Sequence, residues 1–151
     1  MRILCLDIGT KRIGMAASDP LGLIAQGMGV LARRGDQRDF EAISKKCQEL
    51  DAQLILVGLP LDEEGQVGPQ AAKVNAFSEK LKAYMRKQGI DIPFKMWDER
   101  YSTKEAEGRL IAADVSRAKR KKVIDKMAAV VILEDYLSMI PDPEGEEGAL
   151  G

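Results

Sequence analysis

An acid interrupts the first apolar run of this chain, and that placement restricts the folds open to it. Residues 2–8 read as a buried strand: Ile3-Leu4-Cys5-Leu6-Asp7-Ile8 is apolar on both faces, the pattern of a strand covered on two sides at the centre of a sheet. A carboxylate buried there loses its hydration and needs a partner, and a bound cation is one that would serve. The chain contains no histidine, which removes the commonest general base and metal ligand. Hydrolytic chemistry in such a chain rests on carboxylates and a hard metal ion.

The segments after Asp7 set the architecture. Thr10-Lys11-Arg12 is a polar turn between Gly9 and Gly14, and Arg12 to Ser18 reads as a second strand in a hairpin with the first. Asp19-Pro20-Leu21-Gly22 is another turn, and Leu23 to Ala32 is a third strand, glycine-interrupted and placed near an edge. From Asp39, residues Phe40, Ile43, Cys47 and Leu50 fall at helical spacing. Gln53 to Leu59 is a buried strand that runs into Pro60-Leu61 and an acidic loop. Pro69 to Gln88 is a second helix with Pro69 in its first turn and Gly89 closing it. Pro93 to Trp97 is a fifth strand, with Trp97 read as a core residue, and Ser102 with Glu105 makes a capping box for a short helix to about Ala113. Val123 to Ile140 is the last helix. A three-strand meander entering βαβ units predicts a mixed sheet with helices on its faces.

Three acids lie on three different elements of this layout. Asp7 stands at the end of the central strand, where the alternative is a strand-end acid capping the Gly9 turn. Asp98-Glu99-Arg100 follows the fifth strand, at the carboxyl end where open α/β sheets bind ligands. Successive strand residues face opposite ways, so only one of Asp98 and Glu99 can share the face of Asp7 unless the strand has ended. Asp125 opens the last helix, with Ala128, Ala129 and Ile132 at i+3, i+4 and i+7 on its face. A helix-start acid is also what the helix dipole favours. Together the three could meet at one sheet edge and hold two divalent ions, one activating water and the other stabilising the leaving oxygen. Mg²⁺ or Mn²⁺ suits an all-oxygen donor set. Gly9 and Gly14 let backbone approach a phosphate, and Lys11, Arg12 and Arg100 are placed to hold one. The weaker candidates are the Asp62-Glu63-Glu64 loop, which reads as solvated, and Gly58-Leu59-Pro60-Leu61, which shapes the end of the fourth strand.

Charge and length bound the class. The 151 residues fit one domain over residues 1–140 with an acidic, disordered tail over 141–151. That tail carries four acids, so the rest of the chain stands at +3 against −1 overall. Arg117, Lys119, Arg120, Lys121 and Lys122 form the densest basic stretch, able to follow a phosphate backbone or to lie in a solvated loop. No apolar run approaches a membrane span and no leader precedes the first strand, so the reading is cytoplasmic. Cys5 and Cys47, both in apolar settings, read as reduced core thiols.

These segments resemble the YqgF/RuvX family of RNase H-like nucleases. The resemblance is carried by Asp7-Ile8-Gly9-Thr10-Lys11-Arg12-Ile13-Gly14, Val57-Gly58-Leu59-Pro60-Leu61, Asp98-Glu99-Arg100-Tyr101-Ser102-Thr103 with Ala106, and Ile124-Asp125 with Ala128-Ala129 and Ile132-Leu133. They run in order through nearly the whole chain, the acidic tail excepted. The resemblance implies an RNase H-like fold, a five-stranded mixed sheet with the first three strands antiparallel. It implies metal-dependent phosphodiester hydrolysis with Asp7, Glu99 and Asp125 as the acids, Asp98 being the less certain. The family is associated with 5′-end maturation of pre-16S ribosomal RNA in ribosome biogenesis. Through its similarity to RuvC it has also been called a Holliday junction resolvase. The partners implied are structured RNA or branched DNA, with ribosomal precursor particles beyond them, and a monomer or a homodimer.

Three rivals remain at this level. A resolvase of four-way DNA needs two symmetric sites and hence a stable dimer. An actin- or sugar-kinase-like domain shares the Asp7-Ile8-Gly9-Thr10 loop but clasps nucleotide between two domains. A non-catalytic RNA-binding module of ribosome assembly would make the acids structural.

Overall fold

The structure is a computed structural model, and it describes residues 1–99 and 117–139, the side chains of residues 117–126 excepted. Five strands form one sheet: β1 (Ile3–Ile8), β2 (Arg12–Ser18), β3 (Ala25–Ala32), β4 (Leu54–Leu59) and β5 (Phe94–Asp98). Their order is β3-β2-β1-β4-β5, so β1 is central and β3 lies at one edge. β1 to β3 run antiparallel, and β4 and β5 are parallel to β1. Among the described residues there are three helices, α1 (Asp36–Leu50), α2 (Pro69–Lys87) and α3 (Arg117–Met139). The expected mixed sheet is therefore present.

Alternation along the strands divides the core into two layers. Leu4, Leu6, Ile13, Met15, Ile55 and Val57 face α1 and α2, meeting Phe40, Ile43, Phe77 and Leu81. Ile3, Cys5, Ala16, Leu54 and Leu56 face α3, meeting Ala129, Ile132, Leu133 and Tyr136. Full burial of each large aliphatic side chain contributes about 1.5–3 kcal/mol, so both faces of β1 must be apolar wherever helices cover them. Cys5 and Cys47 are buried free thiols, as expected. Among the described residues no helix is long and apolar enough to cross a membrane.

Two helix starts differ from the sequence expectation. α1 begins at Asp36, three residues before Asp39, because Gly35 takes φ 113° and turns the chain there. Asp36 and Asp39 then occupy the first turn, where the helix dipole favours them. α3 begins at Arg117 rather than Val123. Arg, Lys and Ala are good helix formers and no Gly or Pro interrupts them, so the basic stretch is the first two turns of the helix, not a loop. Arg100, the short helix expected from Ser102 and the acidic tail lie outside the described residues.

Candidate active site

The site is built where β1, β4 and β5 end. Asp7 follows Ile3 and Cys5 on the α3 face of β1, and its antiparallel partner on β2 is Gly14. On the other side Leu6 pairs with Val57, so the next residue, Gly58, is the neighbour of Asp7 across β4. The acid therefore stands between two residues that carry no side chain. Arg12 is on the same face of β2 as Gly14, at this end of the sheet, and both Lys11 and Arg12 are exposed.

β5 brings the second acid. The sequence left open which of Asp98 and Glu99 shares the Asp7 face. The ladder does not stop at Asp98: the Glu99 N–H donates to the Leu59 carbonyl at 3.2 Å. Alternation therefore continues from Trp97, which packs against Tyr136 of α3, to Glu99. The Glu99 carboxyl crosses the bare surface of Gly58 and hydrogen-bonds to Asp7. A Cβ on Gly58 would collide with the Glu99 carboxylate and would stand 2.7 Å from Ile132 Cδ1. Gly58 is thus the space in which Glu99 lies, a role that a glycine inside an otherwise apolar strand signals in general terms.

The electrostatics follow from that packing. Burial pushes Glu99 up to about 8, helped by the charge of Asp7, by the hydrogen bond to Asp7, and last by the charge of Asp98. Two carboxyls in one hydrogen bond must share a proton, and here Glu99 keeps it while Asp7 accepts. Beneath them Cys5 is raised well above the usual thiol range by burial and then by the charges of Asp7 and Glu99, so it stays protonated. The half-buried carboxyl pair over a neutral thiol would favour a cation that displaced its shared proton. The donors are all oxygen, which fits Mg²⁺ or Mn²⁺ and not a soft ion.

Among the described residues no three acidic or thiol groups converge as a metal-binding cluster. The backbone of Asp125 is in α3, and Ala128, Ala129 and Ile132 are buried against the sheet as their spacing predicted. The side chains of Asp125, Arg117, Lys119, Arg120, Lys121 and Lys122 lie outside the described residues. The acidic loop is used for its own folding: Asp62 Oδ1 accepts from the N–H groups of Glu64 and Gln66. Trp97 anchors β5 to α3 by donating from Nε1 to Asp135 Oδ2 at 2.7 Å. The sequence pattern placed Trp97 in the core but gave no sign of that bond.

Comparison with known proteins places the chain among nucleases. The family model RuvX, described as Holliday junction resolvase, matches residues 1–139. A protein of Desulforamulus reducens named "Putative pre-16S rRNA nuclease" is 53% identical over 137 residues, covering 91% of this chain and 96% of that one. A relative of the same name from Clostridium kluyveri is 47% identical over 140 residues, covering 93% and 98%. Among solved structures, Thermus thermophilus RuvC in complex with a Holliday junction substrate superposes with a TM-score of 0.56 at 12% identity, covering 88% of this chain and 90% of RuvC. The Fowlpox virus resolvase bound to junction DNA gives 0.50 at 10% identity, with 91% and 97% covered. The two structural likenesses show a shared RNase H-like fold.

Proposed function

From membership of the RuvX family, to which this chain belongs by a match over residues 1–139, we propose that it is a nuclease, a hydrolase acting on the phosphodiester bonds of nucleic acid, whose work is 5′-end maturation of pre-16S ribosomal RNA. The observation that carries the hydrolytic reading is the Asp7–Glu99 carboxyl pair, half-buried and hydrogen-bonded at the carboxyl end of the central strands. A structural role would be served as well by an amide, which makes the same hydrogen bond without a trapped proton or a like-charge neighbour. The relatives that cover most of this chain bear the pre-16S rRNA name, and this favours RNA over the junction.

Asp7, Glu99 and Asp125 are the residues that would hold divalent ions, with Asp98 adding charge nearby. When bound, such ions supply a water nucleophile at neutral pH and neutralise charge on the leaving oxygen. The chain's own residues do the rest. Asp7, fixed by strand pairing on both sides, sets where the scissile phosphate sits. Glu99 gives up its proton as positive charge arrives. Lys11, Arg12 and Arg100 hold flanking phosphates, and the Arg117–Lys122 turns of α3 follow the backbone away from the site. Phosphate contacts of this kind position a strand without reading its sequence.

The test offers end-labelled pre-16S leader RNA and a four-way DNA junction side by side to the protein with Mg²⁺ or Mn²⁺. EDTA and Asp7→Asn are the controls. Cutting of the RNA alone, lost in both controls with a rate drop of at least about 10²-fold, is the expected result. Cutting of the junction alone would move the function to recombination. Binding of RNA without metal-dependent cutting, unchanged by Asp7→Asn, would favour an assembly module.

A further inference from the structure

One ion pair with a buried carboxylate lies apart from the Asp7–Glu99 pair. Asp39 of α1 is 1% exposed, and its carboxyl sits beside Arg33, whose Nε donates to Asp39 Oδ2 at 3.2 Å. The other oxygen, Oδ1, accepts from the Arg34 N–H at 3.0 Å. Burying a carboxylate is costly unless it is paired and fully hydrogen-bonded, and both conditions are met. Arg33 makes further contacts on its own side. Nη2 reaches Asp36 Oδ1 at 3.1 Å, and the guanidinium lies 4.9 Å from the centre of the Phe77 ring.

What this assembly holds is the loop after Asp7. Arg33 Nη1 donates to the Gly9 carbonyl at 3.2 Å, and the Arg33 N–H donates to the Lys11 carbonyl at 2.9 Å. Gly9 in turn donates to the Arg12 carbonyl at 2.8 Å, and a Cβ at Gly9 would strike that same oxygen at 2.8 Å. On the α2 side the loop rests over a cavity of about 70 Å³ lined by Gly9, Thr10, Arg33, Gln70 and Lys73. Arg33 thus holds the loop by two of its carbonyls, those of Gly9 and Lys11. Lys11 and Arg12, the two cations on it, are the basic residues that follow Asp7 most closely along the chain.

We propose that Arg33, held by the buried carboxylate of Asp39, is a positioning residue that fixes the Gly9–Arg12 loop so that Lys11 and Arg12 meet the phosphate backbone of the substrate. This rests on the nuclease reading above. Arg33 acts through backbone carbonyls and does not reach the carboxyl pair. Asp7 stays in place by its pairing with Gly14, so the arrangement governs binding more than the chemical step.

The experiment combines Arg33→Gln, Arg33→Lys and Asp39→Asn with hydrogen exchange and cleavage kinetics. In Arg33→Gln, amides 9–12 should exchange at least about tenfold faster while β1 and β4 keep their protection. KM should rise about tenfold with kcat within about twofold, the signature of weakened substrate binding rather than weakened transition-state stabilisation. Arg33→Lys should recover part of the KM, since one ammonium can serve the carboxylate or the Gly9 carbonyl but not both. In a Lys11→Ala, Arg12→Ala background the Arg33→Gln change should have no further effect on KM. A loop that stays protected, a fall in kcat at constant KM, or an effect additive with Lys11→Ala and Arg12→Ala would each overturn the proposal. Failure of the wild-type protein to bind or cut any nucleic acid would instead sink the nuclease reading, and with it the substrate half of this one, while the exchange result still decides whether Arg33 shapes the loop.

Discussion

Titrating divalent cation into the protein across pH gives the sharpest test of the Asp7–Glu99 pair. Glu99 is pushed up to about 8 by burial first and by Asp7 next. On that value about 1% of Glu99 is ionised at pH 6, about 10% at pH 7 and half at pH 8. A cation that requires the ionised pair must displace the shared proton. Its apparent affinity should then rise about fiftyfold between pH 6 and pH 8, or about 2.3 kcal/mol. Stability without metal runs the other way. A carboxyl raised above its unfolded value adds stability that is fully present below about 4.5 and is lost as pH rises through about 8. The melting temperature of the metal-free protein should fall over that window, and Mg²⁺ should restore more of it at higher pH. Calorimetry in two buffers of different ionisation enthalpy, run near pH 7, counts the released protons, and close to one is expected. Glu99→Gln should flatten both the stability profile and the proton release. A pH-independent Mg²⁺ affinity with no proton released would refute the argument, because the carboxyl pair would then not be where the ion binds.

Three further outcomes follow from the packing around the pair and from the charge on α3. Gly58→Ala drives a methyl against the Glu99 carboxylate and Ile132, so urea unfolding should show a loss of about 1–3 kcal/mol, and cleavage should fall further than stability explains. Trp97→Phe keeps the edge packing on Tyr136 but removes the donor to Asp135; a loss of about 1–2 kcal/mol is expected, and Trp97→Phe combined with Asp135→Ala should cost little more than either alone. Replacing Lys119, Arg120, Lys121 and Lys122 by Gln should reduce the slope of log affinity against log salt by about 0.7 for each single-strand phosphate that is no longer neutralised, with metal affinity at the carboxyl pair unchanged. An unchanged slope would take the first turns of α3 out of the binding surface.

Most of the fold is legible in the sequence because period-2 and helical patterns are local. β2 has the bounds its pattern predicts, β1 and β4 begin one residue later than expected, and β5 runs from Phe94 to Asp98 rather than from Pro93 to Trp97. The edge position of β3 follows from its glycines. The misplaced starts of α1 and α3 share a cause: the apolar stripe of the sequence begins later than the helix, since the first turns carry charged residues such as Asp36, Arg117 and Lys119 in place of apolar ones. The choice between Asp98 and Glu99 is not legible, because it depends on whether the ladder persists to the Glu99 N–H. The Arg33–Asp39 pair is invisible for a different reason. Its members are six residues apart but on either side of a helix start, and only the turn at Gly35 brings them together.

The two carboxyl arrangements have opposite logic. Asp39 has a cation beside it and its hydrogen bonds filled, so it holds the chain near it rigid. Asp7 and Glu99 have each other, with Asp98 adding more negative charge and glycine on both neighbouring strands. Strand pairing sets the two carboxyls next to one another, where they share a proton that a bound cation would have to displace. A fold built only for stability would exchange either acid for an amide, and a surface at the carboxyl end of a parallel pair of strands is where such a pair can meet a ligand. On the proposed function the two work together: the Asp39–Arg33 arrangement holds the cationic Gly9–Arg12 loop, and the carboxyl pair would take the divalent ions.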